Sequence, residues 1–110
     1  MRTPRQAIRE DINRVARTYG VTYDDIIQKN RTAPVVKARN AAYWRIWKKY
    51  GYSLLQLGRI FNRNHVAVLR GIGAHMHRRR IKHPWAQLYR DWKETLRQQY
   101  ERRRISEGNQ

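Results

Sequence analysis

Ser53 to His77 reads SLLQLGRIFNRNHVAVLRGIGAHMH, and the periodicity of this stretch decides the fold. Ser53 stands three residues before Gln56, the spacing of a capping box, and Leu54, Leu57, Ile60 and Phe61 then recur at helical spacing. Gly58 lies among these apolar positions, where a missing side chain lets a second helix cross closely. Asn62-Arg63-Asn64 supplies turn-tolerant residues and a second N-cap, so a new helix is expected to start near His65. Stepping about 100° per residue from Val68 places Leu69, Ile72 and Met76 on one side, with Arg63, Val66, Ala67, Arg70, Ala74 and His77 on the other. This is the pattern of a helix-turn-helix whose second helix turns small and basic residues outward. Such a face suits the major groove of DNA: Ala and Val allow close backbone approach and can touch a thymine methyl, and Arg reaches guanine or phosphate. A helical hairpin in any all-α domain would share the pattern.

Charge weighs on that choice. The 110 residues hold 25 Lys+Arg against 8 Asp+Glu, a net charge of +17. Between Asp25 and Asp91 there is no carboxylate, and fifteen of the 25 basic residues fall in that interval. Self-repulsion is tolerated where salt pairing would be easy, and a polyanionic partner accounts for it. An anionic membrane surface would attract the same charge. No apolar run approaches the roughly 20 residues needed to span a bilayer, however, and MRTPRQAIRE lacks the apolar core of a secretion signal. The absence of cysteine excludes disulfides and thiolate metal sites and suits a reducing compartment, so a cytoplasmic, nucleoid-associated location is expected.

The flanking segments read as helices too. Thr3-Pro4 with Gln6 starts a first helix striped by Ile8, Ile12, Val15, Ala16 and Tyr19 and stopped at Gly20. Thr22 and Asp25 repeat the capping box before a short turn through Ile26 and Ile27, and Lys29 to Ala33 forms a polar loop. Pro34 opens a long third helix that ends at Gly51. After the basic run Arg78-Arg79-Arg80 and the break at His83-Pro84, a last helix carries Trp85, Leu88, Trp92, Leu96 and Tyr100. No strand pattern appears, so the fold class is all-α. Trp44, Trp47, Trp85 and Trp92 could stack on single-stranded bases, but their helical spacing favours core packing.

These residues carry a resemblance. VARTYGVTYDDIIQKNR (15–31) and VVKARNAAYWRIWKKYGYSLLQLGRIFNRNHVAVLRGI (35–72) follow, in order, the opening helix, the loop, the long basic helix and the signature of a known module. From Ile12 to about Gln99 the chain resembles the C-terminal DNA-binding domain of the bacterial replication initiator DnaA. The resemblance implies a Trp-repressor-like helical bundle with a helix-turn-helix, here followed by an extended basic C-terminal helix. Residues 1–99 would form the domain and 100–110 a basic tail.

The resemblance further implies that Arg31 enters the minor groove, that Lys37 and Arg39 lie near the backbone, and that Asn64 and His65 meet base edges in the major groove. Val66 and Ala67 stand where the family has two threonines and Asn64 where it has an acid, so the preferred site is expected to differ. His65 has a competing reading, because it falls at about 60° from Val68, nearer the buried side, where it would cap or pack. Lys29, Arg45 and the helix start at Ser53 are expected to hold phosphates, with Arg63 and Arg70 on the outward face.

No glycine-rich phosphate loop, metal-ligand spacing or acid/base carboxylate pair is present, so no enzyme, cofactor or metal is expected. The leading expectation is a sequence-specific double-stranded DNA binder that regulates transcription or replication by occupancy. Two alternatives come from other classes: a non-specific packaging or accessory factor that wraps nucleic acid, and a replication-complex adaptor. A homodimer or protein contact would then use the C-terminal helix.

Overall fold

A computed structural model describes residues 2–108, with side chains through residue 104. Its helices are α1 (Pro4–Thr18), α2 (Tyr23–Ile27), α3 (Ala33–Tyr50), α4 (Leu54–Phe61), α5 (His65–Arg78) and α6 (Pro84–Gly108), and there is no strand among the described residues. Local chemistry sets the boundaries. Thr3, Thr22 and Ser53 each form a complete capping box, with Gln6, Asp25 and Gln56, and Asn64 caps α5 by accepting from the Val66 amide. Gly51 ends α3 and Asn62 ends α4, both in the left-handed region. α6 runs unbroken across position 99, so residues 100–108 of the expected basic tail are the last turns of the extended C-terminal helix. Residues 109 and 110 of that expected tail lie outside the described residues.

One core joins these helices: Ile12, Ile26, Ile46, Leu57, Phe61, Val68 and Ile72 are each at most 1% exposed. Two close approaches lock α5 in place. Gly71 faces Tyr43 and Asn40 of α3, and a Cβ there would meet their side chains at 2.5–2.6 Å. Gly58 meets the Arg63 carbonyl, which a Cβ would approach to 2.6 Å, and this tight contact closes the helix-turn-helix. The expected outward face of α5 is shorter than its periodicity predicted. α6 covers Gly73 with Tyr89, lays Trp92 under the Arg70 guanidinium at 4.3 Å, and hydrogen-bonds Arg90 to His77 at 3.0 Å. The four tryptophans are half-buried, with Trp47 and Trp85 stacked at 4.6 Å, as helical spacing suggested.

Three polar groups are buried within this frame. Asp11 is 2% exposed and takes hydrogen bonds from Lys49, Arg45 and the Tyr50 hydroxyl, which hold its carboxyl below the usual range against the opposing effect of burial. The same contact pushes the Tyr50 hydroxyl up to about 12. Arg39, 7% exposed, donates to the carbonyls of Ile26 (2.7 Å), Gln28 (2.8 Å), Asn30 (2.9 Å) and Asp25 (3.1 Å). Sequence reading placed Arg39 near the DNA backbone; the structure uses it to hold the chain between α2 and α3. Burial, then repulsion from Arg63, lowers its pKa, yet an arginine stays charged at any ordinary pH.

His75 is the third, at 5% exposure against Trp44. Burial, aided by Arg78 and Arg79, pushes its pKa from 6.5 down to about 4. The unfolded chain therefore takes up a proton near pH 6.5 that the folded chain refuses until about pH 4. The stability due to the neutral ring is complete above about pH 6.5 and is lost as pH falls through that window, by on the order of a few kcal/mol. Melting temperatures followed by circular dichroism from pH 7.5 to 5 should fall, and His75→Leu should flatten the dependence; a wild-type profile level over that range would contradict this. Arg39→Ala should lower the melting temperature by on the order of 10 °C, since four carbonyls lose their donor. Arg39→Lys should lose nearly as much, because one ammonium cannot serve all four, and a melt like that of the unaltered chain would overturn the assignment.

Candidate nucleic-acid interface

Contacts along α3 and α5 place their N-termini at one end of the molecule. Asn40 and Tyr43 meet Gly71, and one turn further along Trp44 meets His75, so the two helices run in the same general sense. The loop of residues 28–32 closes over this end. Asn30 Oδ1 accepts from both the Thr32 amide (2.9 Å) and the Thr32 hydroxyl (2.8 Å), Arg39 holds the loop from below, and Arg63 reaches it from the helix-turn-helix. The Arg63 guanidinium donates to the carbonyls of Gln28 at 2.5 Å and Ile27 at 3.2 Å, and also to Phe61 and Asn62. Arg63, expected on the outward face, is thus a tie between the turn and the loop.

The side chains left at this end are exposed. Asn64, His65, Val66 and Ala67 form an open edge on the first turn of α5, and Lys29 and Arg31 on the loop and Lys37 near the start of α3 are exposed as well. His65 is solvent-facing, so the reading that buried it fails. Asn64 Oδ1 is engaged in capping, at 2.7 Å from the Val66 amide, which leaves its Nδ2 hydrogens to donate. A bidentate grip on adenine would need the oxygen as well; the capped Asn64 instead fits acceptors such as phosphate oxygen, guanine N7 or thymine O4. The positive ends of α3 and α5 add to the charge of a stretch with no carboxylate from residue 26 to 90, while Asp25, just before the loop, lies near the Asn30 side chain.

Other expected residues lie elsewhere or are occupied. Arg45 sits towards the other end of α3, 3.4 Å from buried Asp11, among Arg14, Trp44, His75 and Arg79. Ser53 caps α4 at the end opposite the turn, its hydroxyl accepting from the Gln56 amide. Arg70 is exposed but stacked on Trp92.

Two residues were missed. Leu55 is 60% exposed and lines a shallow depression with Arg59, Asn62, Asn64 and His65. Helical stepping would have found Leu55, which lies about 160° from buried Leu57. Arg59 was legible only as one more cation in the acid-free interval, although its place on α4 puts it beside the turn. Among the described residues no group of three His, Asp or Glu gathers to hold a metal ion, and no helix is long and apolar enough to cross a membrane.

Comparison with known proteins identifies the helix-turn-helix region. Residues 10–74 match the family described as "Bacterial dnaA protein helix-turn-helix", a span that ends inside α5 and is shorter than the resemblance read from sequence. The chain is similar to the "Chromosomal replication initiator protein DnaA" of Mycoplasma genitalium and that of Mycoplasma pneumoniae, at 33% identity over 61 residues in each case. That match covers 56% of this chain and 14% of each relative. No solved structure matches. With the family match spanning more than half its length, the chain belongs to the bacterial DnaA helix-turn-helix family.

Proposed function

We propose that the chain binds double-stranded DNA sequence-specifically and acts by occupying its site, as a transcription or replication regulator at the nucleoid. One observation carries this reading: the open edge of α5 and the Arg31 loop sit at the same end of the molecule, joined through Arg63 and Arg39. A groove-reading helix and a cation for the neighbouring groove must keep a fixed spacing to read one site, and these ties supply it.

In this reading the first turn of α5 enters the major groove. Asn64 and His65 meet base edges, while Val66 and Ala67 allow close approach and favour thymine methyls. Arg31 reaches the adjacent minor groove, where a narrow A/T-rich segment attracts a long cation. Lys29, Lys37 and Arg59 hold phosphates and set register without reading sequence. Catalysis, cofactor and metal have no part in this mechanism. Because the relatives' matching region is a small part of a replication initiator, competition with an initiator for shared sites is a natural route of action.

Selection from random duplexes should enrich one site. Against it, Arg31→Ala and Asn64→Ala should each weaken binding by roughly tenfold or more, as removal of a base interaction of about 1–3 kcal/mol requires. Lys37→Ala should weaken specific and random duplexes alike. Specific binding should also outlast random binding as salt rises. Unchanged affinity in both Arg31→Ala and Asn64→Ala, or equal affinity for selected duplex, random duplex and RNA, would overturn the proposal.

A further inference from the structure

The last helix is longer than its packing requires. α6 touches the body through Trp85, Ala86, Tyr89 and Trp92, and from Lys93 to Arg104 every residue is exposed. At about 1.5 Å per residue this free half is a rod of about 18 Å. Its direction follows from the contacts with α5: Tyr89 and Arg90 lie against His77, Tyr89 against Gly73, and Trp92 against Arg70. As α6 advances, its partners step back along α5, so the two helices run in opposite senses and the free half heads towards the Asn64 end. That is the end where the candidate interface lies.

Its charge is also unbalanced. Lys93, Arg97, Arg102, Arg103 and Arg104 face only Glu94 and Glu101, and Arg97 is paired with Glu94 at 2.6 Å. The three consecutive arginines lie at its far end and are all exposed. A surface that only needed solubility would not require three like charges at the tip of a rod aimed past the groove-reading helix.

We propose that residues 93–104 of α6 form a helical arm that contacts phosphates of the duplex beyond the segment held by α5, lengthening the footprint without adding base recognition. This rests on the duplex-binding reading above. Arg102, Arg103 and Arg104 would each neutralise a flanking phosphate and release its counterions. The arm lies beyond residues 10–74, so this contact would be specific to chains that carry such an extension.

The test uses the full chain and the duplex it enriches from a random pool, cut to about 14 and about 40 base pairs. The Arg102→Gln, Arg103→Gln, Arg104→Gln triple variant should bind the long duplex about tenfold more weakly at ~0.1 M salt. Its salt slope on that duplex should fall by about 2–3, at about 0.9 for each phosphate no longer neutralised. On the short duplex its binding should weaken less than twofold. A control with the same charge change elsewhere, Arg14→Gln, Arg17→Gln, Lys48→Gln, should leave the difference between the two lengths intact. Equal weakening on both lengths, or an effect matched by the control, would overturn the arm. So would a shift from dimer to monomer in the triple variant by sedimentation, which would assign this helix to a second copy of the chain. If the unaltered chain bound no duplex, both the arm and the reading beneath it would fall; if it bound and the triple variant bound as well, the arm alone would.

Discussion

The arrangement depends on the Arg39 guanidinium, which donates to four carbonyls between Asp25 and Asn30 from a position buried in α3. A loop of this kind carries backbone groups that need partners wherever they leave water, and a single planar fork of donors satisfies several at once. Arg63 repeats the device from the other side, donating to Ile27 and Gln28. The two cations repel each other, which adds to burial in lowering the Arg39 pKa, and the carbonyl dipoles aimed at both offset that repulsion. The loop carrying Lys29 and Arg31 is consequently bound through its main chain to α3 and to the helix-turn-helix, so the backbone from which these side chains project is tied to the turn before Asn64.

This division of labour among arginines explains what sequence could and could not convey. Capping boxes at Thr3, Thr22 and Ser53, the stops at Gly20 and Gly51, and the Asn64 cap are local interactions spanning a few residues, so the helices were legible almost to their ends. The role of Arg39 was not, because its partners lie 9 to 14 positions earlier and are main-chain atoms of no particular residue type. Arg63 looked equally free on an angular count of α5, since the count ignores a loop that approaches from outside. Arg45 was misplaced for the same reason: its partner, Asp11, is 34 positions away on α1. His65 shows the converse, as its angle pointed inward although the side chain is exposed at the start of α5.

The surplus charge is thus of two kinds. Arg39 and Arg63 are held by main-chain carbonyls, Arg45 and Lys49 by Asp11, and Arg70 by the Trp92 ring. Lys29, Arg31, Lys37, Arg59 and the arginines near the end of α6 face water. So do Arg14 and Arg17 on α1, Lys48 on α3, and Arg78, Arg79, Arg80 and Lys82 from the end of α5 onward, away from the Asn64 edge. The apolar outer surface of α5 is divided in the same way, with its C-terminal half under α6 and its first turn open. The open first turn of α5 carries small and polar residues beside the N-termini of α3 and α5, where main-chain amides and the helix dipoles attract anions.

The most direct test of a fixed pairing between the α5 edge and the Arg31 loop is a map of amide chemical shifts as a selected duplex is added. Asn64–Ala67 and Lys29–Thr32 should move together, at the same protein-to-duplex ratio, while Arg14–Thr18 on α1 stay close to their free positions. Shifts that left Asn64–Ala67 and the loop in place and gathered on α1 would contradict the account.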